Sequence, residues 1–156
     1  KYKILNAQPV SPTAAHIKAA LKAKYPVIFG FMVYDSFESS YTSRTGIVTM
    51  PKDGESQLGG HCTYAIGYTD SQGVAHFHKS SDALRYRVSR LFSGIGHKLR
   101  LGTGFTAFAV TPPANCMIGV NSWGRGWGDG GVFYMPWDFV QKYAADFYIF
   151  TDVTVS

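Results

Sequence analysis

Two stretches hold the side chains of this sequence that could do acid–base or covalent chemistry: "GGHCTYAIGY" at 59–68 and "NSWGRGWGDGGVFYM" at 121–135. In the first, His61 and Cys62 are adjacent, and a thiolate beside an imidazole is a nucleophile–base pair. Local geometry argues against pairing these two. The run 62–68 is rich in β-branched and aromatic residues and reads as a strand. Neighbouring side chains on a strand point to opposite faces, so His61 and Cys62 should point apart. A base at His61 then needs a nucleophile from elsewhere.

The second stretch places Asn121, Trp123 and Trp127 among closely spaced glycines. Glycine permits positive φ and close backbone approach, and the tryptophans supply large rigid faces. Asn121 supplies a carbonyl oxygen that can accept an imidazole N–H. Fixing a histidine's orientation and tautomer is the task of the third group in a nucleophile–base–orienter triad. If His61 and Asn121 oppose each other on neighbouring antiparallel strands, they share a face and meet. That register sets Cys62 opposite about Val120, and Cys116 lies roughly 13 Å farther along. A disulfide needs Cα atoms within about 7 Å, so both cysteines are expected to be free. His76 and His78, two apart, would share a strand face, but no third metal ligand accompanies them.

The elements that must position these groups read as mainly β. "SPTAAHIKAALKAKYP" (11–26) predicts a helix capped by Ser11 or Thr13 and ended by Tyr25-Pro26. "VIFGFMVY" (27–34) predicts a buried strand by its continuous apolar run. "DSFESSYTSRTG" reads as loop, "GIVTMP" (46–51) as a short strand, and "KDGESQLGG" as a turn-rich approach to His61. Strands are further expected at 62–68, at 74–78, into Asn121, and in "DFYIFTDVTV". "DALRYRVSRLF" fits helix or strand, and "FTAFAV" is a strand candidate.

Composition bounds the rest. The 156 residues suit one domain or a large half of a two-lobed one. Apolar residues make up 46% and charged ones 16%, enough to build a core. The longest apolar run, broken by Pro26 and Gly30, falls short of the roughly 20 residues of a membrane span. No signal-peptide pattern is present, but the first residue is Lys1 rather than Met, which fits either processing or an incomplete chain, so nothing rests on that absence. Two cysteines make no disulfide framework and leave the compartment open. The net charge of +5 resides wholly in 79–100, where Lys79, Arg85, Arg87, Arg90, Lys98 and Arg100 face Asp82 alone. Such a segment suits contact with a polyanion or an acidic surface, or plain solvation.

"LGGHCTYAIGY" with "NSWGRGWGDGGVFYM" resembles the papain family of cysteine peptidases, over roughly residues 13–78 and 115–150. "YPVIFGFMVYDSF" and "TGIVTMP" are similar to that family's β-barrel lobe. The resemblance implies an α+β fold, mainly antiparallel β, with one N-terminal helix and with 79–114 inserted into a single lobe. It implies His61 as general base, Asn121 as its orienter, and Trp123 as the shield of their hydrogen bond. It also implies Gly30, Gly59, Gly60 and Cys62 along the substrate, with no metal or cofactor. The family's Cys-Gly-Ser-Cys-Trp-like nucleophile motif and its oxyanion glutamine are not in this sequence. The nucleophile would thus come from a helical lobe upstream or on a second chain. Two readings stay open: one lobe of a peptidase acting on peptides or proteins, or a pseudopeptidase serving as a structural or binding subunit.

Overall fold

The computed structural model describes residues 2–79, 81 and 110–155. In chain order the elements are β1 (Tyr2–Pro9), α1 (Ala14–Lys22), β2 (Val27–Tyr34), α2 (Ser40–Thr45) and β3 (Gln57–Thr69). Then come β4 (Ala75–Phe77), β5 (Cys116–Val120), β6 (Val132–Pro136), α3 (Trp137–Tyr143) and β7 (Ala144–Val155). The strands form one sheet in the order β1-β7-β2-β3-β5-β6, with β4 on β3. Every strand ladder among the described residues is antiparallel, which is the α+β, mainly antiparallel fold expected.

The elements follow from local chemistry. Thr13 caps α1, its side chain accepting the His16 N–H, and Ile17 and Leu21 are buried against the sheet. The helix is shorter than the 11–26 expected. It stops before Lys24, which takes a left-handed φ of 73°, and β2 begins after Pro26. Along β2, Val27, Phe29, Phe31 and Val33 are buried, while Ile28, Gly30 and Met32 are half-buried. The apolar run thus belongs to one core face and one partly covered face.

The core is aromatic. Phe31 sits at its centre, with ring centroids 5.0 Å from Phe37, 5.7 Å from Phe29 and 6.0 Å from Phe133. A bulge in β3 organises a second cluster. Ala65 pairs with Gly119 and Gly67 with Ile118, so Ile66 is an extra residue. In a regular strand residues three apart face opposite ways. The bulge lets both Ala65 and Tyr68 join the first cluster while Ile66 packs with Cys116, Ile118 and Tyr134 in the second.

Several sequence expectations are corrected. Residues 40–45, read as loop, form α2, where Ser39 accepts the Thr42 N–H at 3.2 Å and Gly46 closes the helix with φ 71°. The strand expected at 46–51 reduces to one parallel bridge between Ile47 and Tyr134. α3 and β1 were not foreseen, so α1 is not the single helix. β1 shows no alternating pattern and leaves Ile4 and Leu5 exposed; its pairing with β7 makes it a strand. Residue 80 and residues 82–109 lie outside the described residues. With them lie most of the segment expected to be a basic insertion, the expectation of a polyanion contact, and the readings of "DALRYRVSRLF" and "FTAFAV".

The glycine-rich segment is held by steric necessity at Gly128. Its φ is +64°, and a Cβ there would come 2.4 Å from the Val132 carbonyl oxygen. Its N–H donates to the Ser43 carbonyl at 2.7 Å. Gly128→Ala should therefore destabilise the chain by roughly 2–4 kcal/mol, combining left-handed strain with a backbone clash. Gly60→Ala, with nothing within 4 Å of its Cβ, should stay within about 0.5 kcal/mol. Urea denaturation of the two variants checks the contrast.

Candidate active site

His61 lies on β3, paired across the ladder with Phe31 of β2. Asn121 is the first residue beyond β5 and is 6% exposed. Their side chains meet, with His61 Nε2 3.0 Å from Asn121 Oδ1. The register differs from the one expected. The last β3–β5 pair is Tyr64 with Val120, so Asn121 lies diagonal to His61, two positions along. Diagonal neighbours on one face remain within reach of long side chains.

One backbone group decides the protonation pattern. The Ser122 N–H donates to Asn121 Oδ1 at 2.8 Å. Turning the amide over would set its NH2 against that donor, so the oxygen is fixed in place. It is an acceptor only, hence His61 Nε2 carries the proton and donates it. In neutral imidazole the other nitrogen, Nδ1, is then the acceptor. Asn121 Nδ2 is buried with no acceptor among the described residues.

Aromatic rings hold the imidazole in this pose. Trp123 lies over it with centroids 5.3 Å apart and planes tilted by 31°. Phe31 meets it edge-on at 5.5 Å. Trp123 is 41% exposed and forms the outer cover. It is propped from behind by Phe37 at 5.7 Å and Trp127 at 5.3 Å. Trp127 therefore supports the site as well as the core. Phe37, placed in a loop by the sequence, is fully buried here. The β-turn-like compositional signal around it hid that role.

Cys62 is exposed, with Gly30 as its partner on β2; on the β5 side Val120 pairs with Tyr64, not with Cys62 as the sequence register implied. Cys62 alternates with His61 along β3, so the two side chains point to opposite faces. A Cβ on Gly30 would meet only the Ala145 and His61 carbonyl oxygens, at 3.8 Å, and Gly59 and Gly60 have open space around theirs. These four residues leave a stretch of bare backbone beside His61. Cys116 is a free thiol too, buried at the far end of the sheet. Met117 pairs with Tyr68, which sets Cys116 level with Thr69, roughly 23 Å along β3 from Cys62.

The two other histidines separate. His76 is exposed and 2.8 Å from Asp70 Oδ2. His78 lies beyond β4 and is buried, its Nδ1 3.1 Å from the Ile66 carbonyl. They do not share a face as a regular strand to residue 78 would require. Among the described residues no group of three His, Cys, Asp or Glu side chains could hold a metal ion. No helix among them is long and apolar enough to cross a membrane.

The arrangement has relatives. The chain is 31% identical over 141 residues, 89% of its length, to an uncharacterized peptidase C1-like protein of Acanthamoeba polyphaga mimivirus. Among solved structures it superposes on xylellain, a cysteine protease from Xylella fastidiosa, over 99% of this chain, with TM-score 0.63 and 23% identity. Over nearly its whole length the chain is similar to papain-like cysteine peptidases. The clostridial cysteine protease Cwp84 shares the fold at TM-score 0.56 and 13% identity, again over 99% of this chain. No family model matches. The chain spans 32% of the viral relative, 41% of xylellain and 30% of Cwp84, so it corresponds to a minor part of each.

The two thiols should behave differently. Burial pushes the Cys116 thiol from an ordinary value of 9.0 up to about 11, against a smaller lowering by its hydrogen bond with Thr69. Iodoacetamide on the native chain at pH 8 should label Cys62 and spare Cys116 until denaturant is added. Because Cys116 releases its proton more readily when unfolded, the folded state should lose stability as pH rises from about 9 to about 11. A Cys116→Ala variant should lack that part of the slope in pH-dependent denaturation.

Proposed function

We propose that this chain is the histidine- and asparagine-bearing lobe of a papain-type cysteine peptidase, and that its nucleophile comes from a helical lobe upstream or on a second chain. The reading is carried by His61, whose Nε2–H is held by Asn121 Oδ1 at 3.0 Å while Nδ1 keeps its lone pair. That is a base oriented for a thiol which neither cysteine of this chain supplies. A nucleophile–base pair needs contact near about 3 Å. Cys62 is on the opposite face, and Cys116 is buried at the remote end of the strand pair.

Nδ1 accepts the proton of the incoming thiol, leaving a thiolate beside imidazolium. Asn121 Oδ1 stabilises that cation through the Nε2–H. The thiolate attacks the peptide carbonyl carbon, and oxyanion donors belong to the other lobe. As the tetrahedral intermediate collapses, the C–N bond breaks and His61 returns its proton to the leaving amine. Water then enters, gives its proton to Nδ1, and attacks the thioester; the carboxylic acid leaves and the thiol is restored. Trp123 keeps water from competing for the Nε2–H. Gly30, Gly59, Gly60 and Cys62 offer backbone and a small side chain to an extended peptide, with room at Gly30 for a bulky substrate group.

The test is a peptide-based, thiol-directed covalent probe offered to this chain alone and to the full-length protein or its native assembly. The isolated chain should hydrolyse no peptide. In the complete system the probe should label a cysteine outside this chain. His61→Ala should abolish that labelling, and Asn121→Ala should slow it about tenfold or more, as loss of an orienting group does. Hydrolysis by the isolated chain with labelling of Cys62 that depends on His61 would overturn the reading. A folded, tightly assembled system with no labelled cysteine would favour a pseudopeptidase acting as a binding subunit.

A further inference from the structure

The main-chain ladder that joins the strand of His61 to the strand of Asn121 ends just short of the pair. Tyr64 with Val120 is the last β3–β5 partnership. At Asn121 the backbone turns away, its N–H donating to the Gly131 carbonyl at 2.8 Å. One side chain spans the point where the strands part. Thr63, two residues from His61 and therefore on the same face, donates its hydroxyl to the Val120 carbonyl. That carbonyl belongs to the peptide bond leading into Asn121. Thr63 is 7% exposed, so water does not readily replace it.

We propose that Thr63 is the positioning residue of the His61–Asn121 pair: its hydroxyl clamps the 120–121 peptide to β3 and so sets the distance between Oδ1 and Nε2. The proposal rests on the reading of His61 as an oriented base, but its test does not use peptidase activity. Ser122 fixes which way the Asn121 amide faces, and Trp123 and Phe31 fix the plane of the imidazole. Neither sets the separation of the two strands, and the ladder no longer does. A second buried threonine supplies the comparison. Thr69 clamps the other end of the same strand pair, donating to the Pro113 carbonyl at 2.7 Å and accepting the Cys116 N–H at 2.9 Å. Its loss costs a buried hydrogen bond without touching the pair.

The experiment is 15N and 1H NMR of the His61 ring in the full chain and in Thr63→Val, Thr63→Ser and Thr69→Val variants. The unsubstituted chain should show one neutral tautomer, protonated at Nε2, with that proton in slow exchange with water. Thr63→Val keeps the shape and removes the donor. It should speed exchange of the Nε2 proton at least about tenfold, the change expected when roughly one hydrogen bond's worth of restraint is lost, and should admit the Nδ1–H tautomer. Thr63→Ser should restore the original spectrum. Thr69→Val should lower the denaturation midpoint and leave the ring signals in place. Unchanged exchange and tautomer in Thr63→Val, or equal changes in Thr69→Val, would overturn the proposal. A mixed or Nδ1–H tautomer in the unsubstituted chain would count against the oriented base itself.

Discussion

The hydrogen bond between His61 Nε2 and Asn121 Oδ1 is the constraint on which the rest of the site depends. Neutral imidazole has one donor and one acceptor nitrogen, and a free ring exchanges them readily. Here the Ser122 N–H commits the Asn121 oxygen, and the oxygen commits the imidazole. The consequence is a lone pair at Nδ1, which is the property a general base needs. The two partners come from segments sixty residues apart, so the pair exists only when β3 and β5 are in register.

That register is built by features of unequal visibility. The bulge at Ile66 serves two packing clusters from one strand. It lets β3 run from the exposed Gly59–Gly60 end, past His61, into a buried end beside Thr69. The aromatic platform makes the lateral constraint. Phe31 belongs to the core and at the same time touches the imidazole edge. Phe37 and Trp127 belong to that cluster and prop Trp123. The ring orientation at His61 is thus coupled to core packing, and a cavity made at Phe37 would be felt at the site.

The strands at 27–34 and 62–68, the helix near 14–22 and the pairing of His61 with Asn121 were legible because each announces itself locally. β2 and β3 carry apolar and β-branched runs, α1 has a cap and an apolar stripe, and the site has two matched motifs. What was not legible depends on tertiary contacts. β1 is a strand only because β7 lies beside it, and its own residues alternate poorly. α2 is six residues of Ser, Thr, Tyr and Arg whose helicity comes from the Ser39 cap and the Thr42 hydroxyl bonds to the Ser36 and Ile47 carbonyls. The diagonal placement of Asn121 could not be read either, because the bulge and the turn toward Gly131 leave no periodic signal. Thr63 was hidden for a simpler reason: a threonine in a strand is what β-propensity alone would place there.

The central claim is that His61 serves a thiol from outside this chain, and proximity cross-linking addresses it most directly. A dihaloacetone alkylates a thiolate with one arm and a neighbouring imidazole nitrogen with the other, so it joins only groups already in contact. Applied to the full-length protein or its native assembly and followed by peptide mapping, it should join His61 through Nδ1 to a cysteine upstream of this chain or on a second polypeptide. A bridge from His61 to Cys62 or Cys116 would contradict the account.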